Sequence, residues 1–407
     1  MNIKRSWDAV STPDNSALSP ANASAQVLGD CRAAYFRMKT KQTLPILASV
    51  PGRFVASASR AGKSTVVHFS GDRKRKSGLL CLLLLALLSG FGFTARAAGP
   101  EPAGWYSGDM HVHRNCGPGN PINTVAEIYA SMVASNLSVV SLLADMGNGE
   151  VQDPMTDLPL VTGTNDAIST AAHIVHWDAE WHFDPTYIQY SPDLALGGHI
   201  VALGLTNAET HFQEYTKPVF DWAHNQGAVV GFAHLQYLGD SFPQNLDCCT
   251  PIEYPIEVAM GNCDFISEDA ASGDAAIRAY YRLLNCGFKP GFAGGSDHPC
   301  NGQVGSVITY VQTASLTYND WIQGIKSGRT VVSRTGHNQF LELKVNSDRI
   351  PGDEIPLTGP GIVNVSIQWT GGSAAGVTIQ LVRNGVVVAS QEASQSPTLS
   401  ATVNFSN

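Results

Sequence analysis

The chain predicts an α/β barrel built from repeated helix–strand units, followed by a small all-β sandwich, and three observations carry that prediction. From Gly104 to Gly336, helix-like runs alternate with short apolar strand-like runs. Three of these strands end on one polar residue, Asp145, His234 or Asp297, and a parallel barrel presents its site where strands give way to loops. From Gln339 onward only strand-like runs remain, rich in Val, Ile and Thr. About 230 residues suit one barrel. A doubly wound open sheet is the alternative, but the glycine-rich dinucleotide turn expected after its first strand is absent.

Taken in order, residues 1–72 form a basic leader, rich in Ser and Ala and without clear periodicity. Ala61-Gly62-Lys63-Ser64-Thr65 falls short of a phosphate loop, because Ser57 stands where that motif needs Gly. A misassigned start is the expectation for this stretch. Residues 73–97 read as a signal peptide, with basic Arg73 to Lys76, the apolar run Leu79–Phe93 and the small-x-small site Ala95-Arg96-Ala97. That run has about 15 residues against the ~20 of a bilayer span. Cleavage and export to the periplasm or exterior are therefore expected over an uncleaved anchor, with no stable membrane insertion afterwards.

In the barrel region, 104–336, Thr124-Val125-Ala126-Glu127 is a capping box that opens a helix through Ser135. Leu137–Leu143 follows as a buried strand, with Asp145 after it. Pro218 suits a first helical turn, the helix runs to Gln226, and Gly227 caps it before the strand Ala228–Ala233. A helix over Asp274–Asn285, capped by Gly287, leads into Phe292-Ala293 and the turn Gly294-Gly295-Ser296-Asp297. Beyond it, Phe340–Val345, Gly361–Thr370, Gly376–Arg383, Val386–Ser390 and Leu399–Phe405 read as strands, with Asn384-Gly385 as a hairpin turn. An immunoglobulin-like sandwich is expected over 337–407, and about 70 residues against ~100 for the type suggest a truncated one.

Hydrophobic residues are 43% of the chain and charged residues 14%, which excludes a disordered chain and a coiled coil. The net charge of −9 hides a division. Residues 1–98 hold 14 of the 25 Lys+Arg and 4 of the 34 Asp+Glu, or +10, which leaves 11 against 30, or −19, for the remainder. So acidic a body disfavours nucleic acid, whose phosphates need clustered Lys and Arg. Ten of the twelve histidines lie between His111 and His298. Six cysteines follow the leader, in a compartment where disulfides form. Their spacing fits no zinc ribbon, and their connectivity stays open.

Trp105–Asn115 reads WYSGDMHVHRN, and in an extended segment His111 and His113 share a face and can reach one metal ion. His173, His176, Asp178, Glu180 and His182 crowd five ionisable side chains into ten residues. Gly198-His199 heads an apolar strand, Ala233-His234 ends another, and Gly294-Gly295-Ser296-Asp297-His298 ends a third. Each cluster alone has an ordinary reading as a hydrogen-bonded structural group. Together they point to a metal nest, and imidazoles mixed with carboxylates suit Zn²⁺, Mn²⁺ or Fe²⁺ better than Mg²⁺ or Ca²⁺.

In this order GDMHVH, Asp145 after an apolar strand, a Glu, GHIVALG, FAH and GGSDH resemble the PHP (polymerase and histidinol phosphatase) superfamily. The wording WYSGDMHVHRN and a β-domain after the barrel are similar to its CehA/McbA branch of metallohydrolases, which includes carbamate and ester hydrolases. The resemblance covers roughly 104–345. It implies a distorted (β/α)7 barrel with a metal cluster at its C-terminal mouth. It further implies that His111 and His113 bind one ion with Asp297, while Glu180 bridges to a second ion held by His199 and His234. Asp178 is the weaker alternative for that bridge. Met146 after Asp145, His298 one place early before Pro299, and Gly119 where a further His is usual all depart from the superfamily pattern. Two divalent transition-metal ions are therefore expected, not three.

Two such ions imply a bridging water, its pKa lowered towards ~7, that attacks an ester-like bond of a small-molecule substrate. Asp145 or His298 would shuttle the proton, or would only orient a ligand histidine. Arg114 and Asn115 would grip a substrate oxygen, or Arg114 would form a structural ion pair. The shortage of cations near the mouth favours a carbamate or carboxylic ester over a phosphoester. An extracellular binding protein with a degenerate metal site is the reading from another class. The presence of all six ligands weighs against it, as does a β-domain whose single Trp is Trp369.

Overall fold

The computed structural model describes residues 99–117, 119–147, 154–182, 198–211, 215–239, 249–270 and 272–405. The expected leader and signal peptide, 1–97, lie outside the described residues. Among those described, no helix is long and apolar enough to cross a membrane.

Strands β1 (Trp105–Val112), β2 (Val139–Asp145) and β3 (Ile174–Trp181) pair in parallel. Strand β4 (Ile200–Leu203) runs antiparallel to β3, and β5 (Val229–Phe232) antiparallel to β4, so β5 recovers the direction of β3. Strands β6 (Phe265–Glu268) and β7 (Gly291–Gly294) continue in parallel. On the far side of β1, β8 (Ile308–Gln312) and β9 (Thr330–Ser333) add antiparallel.

The nine-stranded sheet curls until β7 returns to β8 and β9. Hydroxyl groups stitch that seam. Thr309 Oγ1 accepts from Gly294 N at 2.7 Å and donates to Gly294 O at 2.8 Å, and Thr330 Oγ1 donates to Phe292 O at 2.6 Å. The result is a nearly closed barrel of mixed direction, where the sequence suggested a parallel barrel, complete or distorted. Strand β4 marks the difference, and four buried apolar residues carry no signal of strand direction.

Helix α1 (Val125–Ala134) opens with the expected capping box: Glu127 N donates to Thr124 Oγ1 at 3.2 Å and Thr124 N to Glu127 Oε2 at 2.7 Å. After the short α2 (Pro154–Asp157), helices α3 (Thr216–His224), α4 (Tyr254–Met260) and α5 (Asp274–Asn285) follow in the chain. Val175, Trp177, Ala179 and Trp181 of β3 pack in one core with Ile128 of α1, Phe220 of α3 and Ala276 of α5, leaving His176, Asp178 and Glu180 on the inner face. Helix α6 (Tyr318–Lys326) plugs one end of the barrel, packing Trp321, Ile322 and Ile325 against Met110, Val139, Leu203, Val229 and Val311. Contact there is tight enough that a Cβ on Gly108 would lie 2.5 Å from the Trp321 ring. The opposite end stays free for chemistry.

The C-terminal region has a three-stranded sheet of β10 (Gln339–Val345), β11 (Gly361–Gly371) and β14 (Thr398–Phe405), and a two-stranded sheet of β12 (Thr378–Arg383) and β13 (Val386–Glu392). Strict alternation along β11 buries Val363, Val365, Ile367 and Trp369 on one face, against Ile379 and Leu381 of β12. The β12–β13 turn is Asn384-Gly385, both at positive φ (53° and 81°), as a two-residue hairpin requires. Its tip meets the barrel, where Asn285 Nδ2 of α5 donates to Asn384 O at 3.4 Å.

Candidate metal centre

Strand direction explains how the site is gathered. The C-terminal ends of β1, β2, β3, β5, β6 and β7 deliver His111, Asp145, Glu180, His234, Asp269 and Asp297 to one mouth, with His113 and His182 just beyond β1 and β3. Because β4 is reversed, its head lies at that same mouth, which places His199 there. The β1–β2 register slips between Asp109 and Val112, and such a bulge re-aims the side chains beyond it. Both carboxylate oxygens of the fully buried Asp109 are spent on backbone: Oδ1 accepts from His111 N (3.2 Å) and Ser296 N (2.8 Å), Oδ2 from Gly305 N (2.8 Å). They lock β1 to the loop that carries Asp297.

Glu180, fully buried, is the hub. Its Oε2 lies 3.1 Å from His111 Nε2, 2.9 Å from His113 Nε2 and 2.9 Å from His182 Nε2. Its Oε1 lies 3.4 Å from His199 Nδ1 and 3.8 Å from His234 Nε2. Asp297 Oδ1 approaches His111 at 3.4 Å and His113 at 3.7 Å. All six residues expected as ligands are thus brought together. Two residues the sequence reading left unassigned join them. His182 sits two places beyond Glu180 on the same strand face, a spacing that could have disclosed it; its Nδ1 faces Asp145 Oδ2 at 3.3 Å. Asp269, directly after the four-residue β6, faces His234 Nδ1 at 3.2 Å.

The remaining expected residues lie apart. Arg114 Nη1 binds Asp157 at 2.7 Å and its Nε donates to Asn123 O at 3.0 Å, so it forms the structural ion pair. His298 has Nδ1 at Gly302 O (3.1 Å) and Nε2 at Asn123 Nδ2 (3.3 Å), with both ring nitrogens engaged away from Glu180. Asp178, two residues before Glu180 on β3, has its oxygens engaged elsewhere: Oδ1 accepts from Gly204 N at 2.6 Å and Leu205 N at 3.3 Å, and Tyr318 OH donates to Oδ2. A disulfide, Cys116–Cys300, joins the loops after β1 and β7, a pairing the cysteine spacing left open.

Electrostatics in the metal-free protein is divided. Burial opposes charge on His111, yet Glu180 and Asp297 beside it hold its pKa up at about 10. Burial likewise opposes charge on His182, and Glu180 with Asp145 overcomes it, raising the pKa well above the usual value. His199 goes the other way, down to about 3, through burial and the neighbouring His182. Burial would raise Glu180, but His111 and His182 hold it well below the ordinary range.

The donor set fits divalent ions. Several triads have ligand atoms within 4.8 Å of one another, among them His111/His113/Asp297, His113/Glu180/His182 and His111/Glu180/His234. Glu180 Oε1 and His199 Nε2 are buried without a hydrogen-bond partner, a state that normally costs free energy unless something else binds there. Beside the cluster lies a cavity of about 440 Å³, lined by His182, His199, His234, Asp297, Tyr237, Asn120, Asn301 and the Cys116 and Cys300 sulfurs' residues, with no Lys or Arg among the described residues lining it.

No protein-family model matches the chain, and no curated protein matches it. Among solved structures it is similar to a two-domain protein from Bacteroides vulgatus described as containing a predicted PHP-like metal-dependent phosphoesterase, at 14% identity and TM-score 0.38 over 77% of this chain and 90% of that one. It is also similar to PsfC from Pseudomonas syringae, at 14% identity and TM-score 0.39 over 56% of this chain and 91% of that one.

Proposed function

We propose that the chain is a metal-dependent hydrolase with a dinuclear centre, acting on a carbamate or carboxylic ester. One observation carries the reading: a single buried carboxylate, Glu180, turns one oxygen to three imidazoles and the other to two. That arrangement supports a residue shared between two cation positions. His111, His113 and Asp297 would hold one ion, His199 and His234 the other, and Glu180 both. His182 would be a further ligand on the Oε2 side. Bound there, two divalent ions supply Lewis acidity and a water of lowered pKa.

The chain's own residues do the positioning. Asp145 Oδ2 stands 3.3 Å from His182 Nδ1 as a charge contact without hydrogen-bond geometry, which supports an electrostatic orienting role that turns Nε2 inward. In this reading Arg114 and His298 shape the loops and do not touch substrate. A cavity without Lys or Arg in its described lining supports an uncharged carbonyl over a phosphoester, whose oxygens call for several cations. The Cys116–Cys300 disulfide supports an oxidising compartment, and with it export.

Metal content and a substrate panel test the proposal. The mature protein is expected to hold two ions per chain and to cleave aryl carbamates or esters faster than phosphate monoesters. Phosphate release alone would overturn the substrate class. Less than one ion per chain, with His234→Ala unchanged in stability, would favour the binding-protein reading.

A further inference from the structure

We propose that Asp269 and Asn301 form a positioning pair that couples the two halves of the centre by fixing His234 and Asp297 against each other. The inference rests on the dinuclear reading for the ions it couples. His234 (φ 62°) and Asp297 (φ 49°) both sit in left-handed backbone, which non-glycine residues rarely adopt. Such conformations persist only where surrounding contacts over-determine them. Each residue also contributes to a different half of Glu180's surroundings: His234 approaches Oε1, while Asp297 approaches the histidines on Oε2.

The contacts that bind the two together run through Asp269. Its side chain is 1% exposed and its Oδ1 faces His234 Nδ1 at 3.2 Å. Gln236 Nε2 donates to the same oxygen, and Asn301 Nδ2 donates to Oδ2. The same Asn301 amide nitrogen donates to Asp297 Oδ2 at 2.8 Å. One side-chain amide thus spans a carboxylate on His234's outer nitrogen and a carboxylate beside His111 and His113. A proton held on His234 Nδ1 leaves Nε2, which meets His199 Nδ1 at 3.0 Å and Glu180 Oε1 at 3.8 Å, as the lone-pair face that a ligand imidazole requires. Asn301 is itself exposed at the cavity, so its replacement need not disturb the fold.

The test uses two variants and two readouts on the full chain. In the metal-free protein, at a pH where the ring is neutral, ¹⁵N NMR is expected to find the His234 proton on Nδ1, and Asp269→Asn to abolish that preference. Chelator competition with Zn²⁺ is expected to show Asp269→Asn weakened by about 10–100-fold. Asn301→Ala should keep the tautomer but remove the dependence of one ion's affinity on occupancy by the other. An unchanged tautomer in Asp269→Asn, or a wild-type isotherm in Asn301→Ala, overturns the proposal. Failure of the dinuclear reading looks different: wild type itself takes up fewer than two ions while the tautomer still depends on Asp269, and the coupling falls with it.

Discussion

Replacing Glu180 by Gln keeps the shape of the hub and removes its charge. In the metal-loaded protein the amide offers one weak oxygen and turns an NH₂ towards imidazole nitrogens that stand 2.9–3.8 Å away. Loss of an orienting partner alone costs about 10–100-fold in metal affinity, so loss of the shared ligand should weaken both ions by at least ~100-fold. The metal-free protein gives an independent measure, because Glu180 is the largest of the charges that keep His111 and His182 protonated, ahead of Asp297 and Asp145. Without it His111 keeps only Asp297 and His182 only Asp145, so the rings stay charged with their main partner gone, at ~3–5 kcal/mol for a broken buried pair, or they release their protons. Melting of the metal-free variant should therefore drop by roughly 6–20 °C at about pH 6, and by much less at about pH 9. Chelator competition and thermal melts at both pH values supply the assay. A variant that still binds two ions with wild-type affinity, or melts lower by the same amount at both pH values, would refute the hub.

Gly295→Ala should destabilise the chain by ~1–3 kcal/mol in denaturant titrations and lower its metal content, because the new Cβ would lie 2.5 Å from His111 Cβ and 2.7 Å from His111 N. Cys116→Ser should cost ~2–5 kcal/mol and loosen metal retention, since the bridge spans a sequence separation of 184 and ties the loops that follow His113 and Asp297; unchanged melting and metal content would sink this. Stability of the metal-free protein should fall with rising pH: the His111 pKa is raised to about 10, so its contribution is full below about 6.5 and is lost as pH rises through about 10. Metal binding should show the opposite slope, tightening as pH rises because ligand imidazoles must be neutral, and proton release on metal addition checks it.

Much of this site was legible because its residues sit at strand ends and strand ends announce themselves. His234 and Asp297 close short apolar runs, and His111 and His113 alternate on one face, so each could be read locally. The capping box at Thr124 and the Asn384-Gly385 hairpin were equally local and lie where expected. What escaped needed non-local information. Strand β4 is four apolar residues, and its reversal is fixed by pairing with β3 and β5. Asp269 follows an equally short strand with no periodicity around it. Arg114 was open between a substrate contact and a structural ion pair, and the partner that decides for the pair, Asp157, is 43 residues away. The pairing of Cys116 with Cys300 is likewise a fact of the closed barrel.

The inner face of β3 shows why carboxylates two residues apart cannot exchange roles. Asp178 is met by neutral donors, two backbone N–H groups and the Tyr318 hydroxyl, which Ser141 in turn contacts at 2.7 Å. Burial outweighs those bonds and the nearby His176, and raises its pKa. Glu180, one step nearer the mouth, is met by imidazoles and, among the described residues, by no backbone N–H, and His111 and His182 hold its pKa well below the ordinary range. A cation needs an ionised oxygen whose lone pairs are not already spent. Glu180 Oε1 meets both conditions, being buried without a donor, whereas the oxygens of Asp178 are already taken by three donors. The bridging role therefore follows from which neighbours surround each carboxylate, and a histidine introduced beside Asp178 would not transfer it while Tyr318 and the Gly204 N–H still fill its oxygens.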